Sequence, residues 1–142
     1  MGEQATKGVI DRYFKRMGAG EDFSDCYTAD VTWTTFDDGG LVHGAAPVRK
    51  YLVALHENMA DARTRRLILA DSAAYLEGDC DDSSTGGVNR VAYCVAYDVT
   101  GDKITAMRCY GAIAHLAPQL FGSSSAHRRP LAGPLPDAAM HR

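Results

Sequence analysis

The chain has 142 residues, enough for one domain with a true core, and its 46% hydrophobic and 23% charged residues are those of an ordinary globular protein. A formal net charge of −3 supplies no basic face for nucleic acid, and no apolar run reaches the roughly 20 residues of a membrane span. The opening MGEQATKGVIDRYF lacks a basic-then-apolar leader, so a cytoplasmic address is expected.

A first helix is predicted over residues 3–17, with Val9, Ile10, Tyr13, Phe14 and Met17 on one stripe and Gly18 and Gly20 ending it. Asp22 or Ser24 can cap a short second helix reaching about Tyr27, and Asp30 leads into a strand over residues 31–36. Asp37-Asp38-Gly39-Gly40 reads as a turn, and Leu41 to His43 as a second short strand. Pro47 sits near the start of a third helix, where its missing N–H does no harm; the stripe Val48, Tyr51, Leu52, Leu55, Met59 carries that helix to about residue 59. Residues 65–69 and 73–80 read as strands around the turn Ala70-Asp71-Ser72, and residues 81–87 as a polar loop.

The clearest pattern lies in residues 90–114. Val91, Tyr93, Val95, Tyr97 and Val99 alternate with small or polar residues, the period of a half-buried strand. Gly101-Asp102 supplies the turn, and a second long strand runs from Ile104 to about His115. Beyond Leu116 the Pro-, Ser- and Gly-rich residues 117–142 lose all periodicity and read as a tail on a domain of residues 1–116. Cys26, Cys80, Cys94 and Cys109 form no C-x-x-C or Cys/His knuckle, so no metal or other cofactor is expected, and the thiols are read as reduced and largely buried. The element order predicts an α+β fold: a cone-shaped, curved antiparallel or mixed sheet wrapped around three helices of the N-terminal half, enclosing an apolar pocket.

Asp11-Arg12-Tyr13, the stretch Tyr27-Thr28-Ala29-Asp30-Val31-Thr32-Trp33, His43-Gly44, and the hairpin from Tyr97 to Tyr110 together resemble the nuclear-transport-factor-2-like superfamily, in its SnoaL-like and ketosteroid-isomerase-like branch. The resemblance spans residues 5–115. It implies the cystatin-like α+β barrel, a small-molecule site and a homodimer through the convex sheet face, where Tyr75, Arg108 and Tyr110 would lie. The family's oxyanion-donating tyrosine falls on Tyr13, and its second donor falls near Tyr93. The isomerase base falls on Thr35, the epoxide-hydrolase network on Cys80, Gly78 and Cys109, and the aldol-cyclase aspartate near Ala112, so each of those carboxylates is replaced.

Counting strands from the family pattern sends Trp33, Thr35, Leu76, Gly78, Cys80, Val91, Tyr93, Val95, Met107, Cys109 and Gly111 inward. Tyr13, Tyr51, Leu52, Leu55 and His56 join them from the helices. Tyr13, Tyr93 and His56 are therefore the candidate catalytic groups, two phenols for a developing oxyanion and one imidazole for a proton. Trp33, Thr35, Tyr51, Leu52, Leu55, Cys80, Val91, Val95, Met107 and Cys109 are the candidate substrate-binding set. A register slip would bring Asp37, Glu77 or Asp79 inside instead. His43 and His115 read as surface or interface residues.

The resemblance and this lining imply a cyclase or isomerase of secondary metabolism, antibiotic biosynthesis included, that folds an apolar polyketide-like substrate. The alternative is a protein that binds or sequesters an apolar metabolite without turnover. A third reading is a dimerisation module whose pocket is filled by its own side chains.

Overall fold

The computed structural model describes residues 2–37, 40–83 and 89–116. The expected tail over 117–142, most of the polar loop at 84–88, and the turn residues Asp38 and Gly39 lie outside the described residues.

Helix α1 (Glu3–Gly18) buries Val9, Ile10 and Tyr13, the stripe expected of it. The second helix of the sequence reading is instead a 3₁₀ turn, Ser24–Cys26, so the described residues form two α-helices rather than three. The Asp22 carboxylate accepts the Ser24 N–H at 2.9 Å, as a cap should. The segment after the cap is too short to propagate: Tyr27 is already extended (φ −104°, ψ 154°), and the strand claims it. Strand β1 (Tyr27–Thr35) thus begins earlier than expected, and β2 (Gly40–His43) folds back on it.

Gly44 sits at φ 104°, a conformation suited to glycine, and turns the chain into helix α2 (Ala45–Glu57). Asn58 ends that helix, so Met59 belongs to strand β3 (Met59–Ala70), not to the helix. β3 runs well beyond the expected residues 65–69 because β4 (Ala73–Asp82) supplies its partners along nearly all of its length. Strands β5 (Arg90–Thr100) and β6 (Lys103–Gly111) form the expected hairpin, although β6 stops at Gly111 rather than near His115. Gly111 has φ 144°, and a Cβ there would stand 2.5 Å from the Ala92 carbonyl oxygen. The chain leaves the sheet at that point and closes with a 3₁₀ turn, Ala114–Leu116.

The six strands form one mixed sheet in the order β2-β1-β6-β5-β4-β3, with β1 and β6 parallel and every other pair antiparallel. Register places three rows across its inner face. The first is Trp33, Met107, Tyr97, Ala74; the second is Thr35, Cys109, Val95, Leu76, Leu67; the third is Gly111, Tyr93, Gly78, Thr64. α1 and α2 lay their apolar stripes over these rows, and Ile10, Leu52, Leu55, Ile104 and Met107 are all but sealed from water. Each such side chain contributes about 1.5–3 kcal/mol of transfer free energy relative to exposure.

The outer face carries Tyr75, Glu77, Cys94 and Tyr110, all exposed. Cys94 is therefore the exception to the expected burial of the thiols; the other three are buried. Its parity on β5 is that of Ala96, opposite to Tyr93 and Val95, so it faces outward beside Glu77 and Tyr110.

Candidate functional site

Between the helices and the inner face of the sheet lies a cavity of about 210 Å³. α1 supplies Tyr13, Phe14 and Met17, and α2 supplies Leu52, Leu55 and His56. The sheet supplies Trp33, Leu76, Tyr93, Val95 and Tyr97, while Met59, Ala62, Thr64 and Ile113 complete the wall. Among the described residues no aspartate or glutamate lines it. The third sequence reading, a pocket filled by its own side chains, does not describe this interior.

Of the candidate residues, Tyr13, His56, Tyr93, Trp33, Leu52, Leu55 and Val95 meet at this cavity. Thr35, Tyr51, Cys80, Val91, Met107 and Cys109 are not among its lining residues. Several form a supporting layer instead. The Trp33 indole N–H donates to the Thr35 hydroxyl at 2.7 Å, with the Tyr51 hydroxyl 3.5 Å from the same oxygen, which fixes the indole wall. The register is the one expected, so Glu77 stays outside, and Asp37 lies exposed just past the end of β1.

The three candidate catalytic groups sit in different environments. The Tyr13 side chain is almost wholly buried, and its hydroxyl shares a 2.7 Å hydrogen bond with the Tyr27 hydroxyl and lies 3.7 Å from the Met107 sulfur. Burial, then the neighbouring Tyr27, hold that phenol well above its ordinary pKa. Its oxygen is thus already engaged at the base of the cavity.

Tyr93 is half-buried, and burial pushes its phenol up to about 12. Its ring lies against Gly78: a Cβ on that glycine would come within 2.8 Å of the ring, and a Cβ on Gly111, across the next strand, within 3.1 Å of the Tyr93 Cβ. Glycines on both flanking strands give the ring room to lie across the sheet. The Tyr93 hydroxyl makes no hydrogen bond within the described residues.

His56 occupies the last turn of α2. The negative helix end favours a charged imidazole there by about 0.3–1 kcal/mol, yet burial wins and lowers the His56 pKa below its ordinary value. The ring is therefore neutral at pH 7, a base rather than an acid. It also walls a second, outer hollow of about 330 Å³ edged by Glu21, Arg49 and Glu57, so it stands between the inner cavity and solvent.

The sequence reading missed Tyr97, which is one step further along the same face of β5 as Tyr93 and Val95. Extending the alternation by two residues finds it. It also missed Ala62 and Thr64, which belong to the unexpected part of β3 and carry no apolar alternation.

Two polar clusters lie outside the cavity. Asp79 is almost buried on the outer face, clasped by Arg65 and by Arg90, whose Nε donates at 2.7 Å. Chiefly through the Arg65 contact its carboxyl is held down at about 2. His115, expected on the surface, has an exposed ring whose Nε2 lies 2.6 Å from the buried Asp82 carboxylate. The Asn58 side-chain amide donates to the Leu116 carbonyl at 2.7 Å, so the closing turn is tied to β4 and to the end of α2. Among the described residues no three His, Cys, Asp or Glu side chains gather as a metal site. No helix among them is long and apolar enough to cross a membrane.

The curved sheet, the two covering helices and the hollow between them define a nuclear-transport-factor-2-like protein. The SnoaL-like domain profile matches residues 10–107; the chain belongs to the SnoaL-like family. No curated protein matches it. Among solved structures it is similar to a nuclear-transport-factor-2-like protein from Burkholderia xenovorans, with 18% identity, a TM-score of 0.66, and coverage of 82% of this chain and 96% of that one. A candidate SnoaL-like polyketide cyclase from Mesorhizobium loti is similar at 17% identity and a TM-score of 0.55, covering 73% of this chain and 97% of that one. A designed protein with a curved β-sheet matches at 14% identity and a TM-score of 0.65, covering 81% and 91%. At these identities the likeness is one of fold.

Proposed function

We propose that the chain is a small-molecule cyclase or isomerase of secondary metabolism that acts on an apolar, polyketide-like carbonyl compound. The observation that carries this reading is a neutral, half-buried His56 on one wall of an apolar cavity whose sheet wall presents the unengaged Tyr93 hydroxyl. His56 removes a proton from the carbon beside a carbonyl; the electron pair moves to the carbonyl oxygen, and the Tyr93 O–H donates to the resulting enolate. The enolate carbon then attacks a second carbonyl of the same folded molecule, whose alkoxide oxygen takes the proton back from His56; where the carbonyl is flanked by a double bond, the dienolate takes that proton at its γ-carbon instead. His56 can pass its proton to the outer hollow, since it borders both spaces. Tyr13 acts as wall and as anchor of Tyr27.

Deuterium incorporation tests this directly. In heavy water the protein should accelerate exchange at the α-carbon of acetophenone, and His56→Gln should abolish the acceleration. Acetophenone that binds yet exchanges at the buffer rate would overturn the catalytic reading.

That outcome would favour the second reading, a protein that holds an apolar metabolite without turnover. The absence of any carboxylate from the lining supports it. For assembly we propose a homodimer across the outer sheet face, where Ile68, Tyr75 and Tyr110 are each about half-exposed and would be covered by a second copy.

A further inference from the structure

Arg49, on α2, carries a polar atom without a partner. Its Nε is sealed from water and donates no hydrogen bond among the described residues. The Asp22 carboxylate stands 3.1 Å away but is turned to the Ser24 N–H, which it accepts at 2.9 Å. The guanidinium lies 5.9 Å above the Phe23 ring. A buried donor left open is costly, and each one in a folded protein calls for a reason. Arg49 and Phe23 both line the outer hollow of about 330 Å³, so an acceptor brought into that hollow supplies the reason. The Arg49 side chain is 41% exposed as a whole, which lets the guanidinium turn to meet it.

Charge narrows what the acceptor is. Asp22 already balances Arg49. Glu21 and Glu57 edge the same hollow, and Arg16, which acts on Glu21 through space, is bound to Asp25. A carboxylate ligand would therefore meet three like charges around one balanced cation. A neutral carbonyl escapes that repulsion and still accepts from the guanidinium.

Position joins this hollow to the inner cavity. Met17 and His56 line both, so their side chains are the common wall. Met17 is unbranched, with three rotatable bonds, and can move aside for a chain. Arg49 precedes His56 by seven residues on the same face of α2, about 10 Å along the helix. The Arg49 side chain covers part of that distance, and a chain of about four carbons covers the rest at roughly 1.5 Å per bond. A dry cavity of about 150 Å³ accepts benzene, so the inner 210 Å³ takes one ring.

We propose that the substrate has two parts: a single-ring ketone head in the inner cavity, and a chain that passes between Met17 and His56 to set a second, neutral carbonyl on Arg49. The assignment rests on the carbonyl reading given above, leaves the ketone oxygen with Tyr93, and adds the far end of the molecule. It is tested by binding rather than by turnover. The probes are methyl 6-oxo-6-phenylhexanoate, the corresponding free acid, hexanophenone, which lacks the ester, and acetophenone, which is the head alone.

On the full chain, calorimetry should give the methyl ester at least tenfold tighter binding than hexanophenone, the effect of one hydrogen bond to a charged group. Arg49→Met should bring the two within about twofold and leave acetophenone binding unchanged, while the exposed neighbour Lys50→Met keeps the preference. Val53→Trp, which fills the outer hollow from an exposed position, should also erase the ester's advantage. The free acid should bind about tenfold more weakly than the ester, and Glu21→Gln with Glu57→Gln should narrow that gap. An isotope-labelled ester carbonyl bound to the unmutated protein should stretch below its value in hexane, a readout that needs no variant to fold. Equal binding of ester and hexanophenone, a preference that survives Arg49→Met or Val53→Trp, an acid that binds as tightly as the ester, or an unshifted ester stretch would each overturn the proposal. Arg49-dependent binding without deuterium exchange would sink the catalytic reading and leave this one standing; exchange of acetophenone with no Arg49-dependent gain for the ester would do the reverse.

Discussion

His56 shows how one residue's setting decides what it can do. Because burial lowers its pKa, the imidazole binds its proton less readily in the folded chain than in the unfolded one. The unfolded chain therefore takes up the proton first as pH falls below about 6.5, and the folded state loses stability over that window. His56→Gln should flatten this limb: melting temperature followed from pH 7.5 to 5 should fall less in the variant than in the parent. The same sign governs chemistry, with α-exchange level above about 6.5 and declining only at lower pH. A rate that keeps rising between pH 7 and 9 would exclude a neutral His56 as the base. Tyr93→Phe should lower exchange by roughly one to three orders of magnitude, the loss expected for one oxyanion donor. Tyr13→Phe should act mainly on stability, by about 1 kcal/mol, because it strips the Tyr27 hydroxyl of its partner. Equal kinetic losses from the two tyrosine variants would show that the Tyr13 hydroxyl reaches substrate after all.

Among elements, the strands of the terminal hairpin were legible because each packs one face on a core, and a half-buried face prints its period on the sequence. Leu52 and Leu55 were placed at the cavity by the apolar stripe of their helix, and Trp33, Tyr93 and Val95 by counting from the family pattern. The N-terminal half of β3 was not legible. It is an edge strand whose residues from Ala60 to Arg66 are exposed on both faces, so no apolar alternation marks it. Its arginines and Asp61 are what an edge needs to resist pairing with another sheet, and in one dimension they look like a loop. The second helix failed in the opposite sense: the cap chemistry was present, but the residues from Tyr27 onward belonged to β1.

Two strand positions test how these elements support the site. A Cβ at Gly78 would stand 2.8 Å from both the Tyr93 ring and the Arg63 carbonyl oxygen. The ring can swing but the backbone cannot, so Gly78→Ala should cost about 1–3 kcal/mol and displace Tyr93, visible as lost exchange activity in whatever folded protein remains. Unchanged stability and rate would mean that β3 is not held as described. Asp79 is held at about 2 by its arginines, below the ordinary aspartate value, so its contribution is present above about pH 4 and is lost as pH falls toward 2. Asp79→Asn should destabilise the protein at neutral pH and shrink the loss of stability between pH 4 and 2. An acid limb identical to the parent's would remove Asp79 from the account of how β3 is fastened.

The molecule as a whole separates fold from function. A designed chain with a curved sheet shares the architecture, so the cone by itself argues for no chemistry. What argues for chemistry is the lining: phenols and one imidazole set in an apolar wall, with no carboxylate among the described lining residues. The outer face belongs to assembly in the reading proposed above. Sedimentation at tens of micromolar should show a dimer, and Tyr75→Glu with Tyr110→Glu should give a monomer; a parent that sediments as a monomer would contradict the proposed pairing. The central claim is that His56 and Tyr93 form a proton-abstracting pair in this cavity. It is tested most directly by α-deuterium exchange of acetophenone in heavy water, run on the parent, His56→Gln, Tyr93→Phe and the double variant. The account predicts acceleration by the parent, none with His56→Gln, a partial loss with Tyr93→Phe, and a double variant no slower than His56→Gln alone. Exchange at the buffer rate in every sample, with acetophenone demonstrably bound, would contradict it.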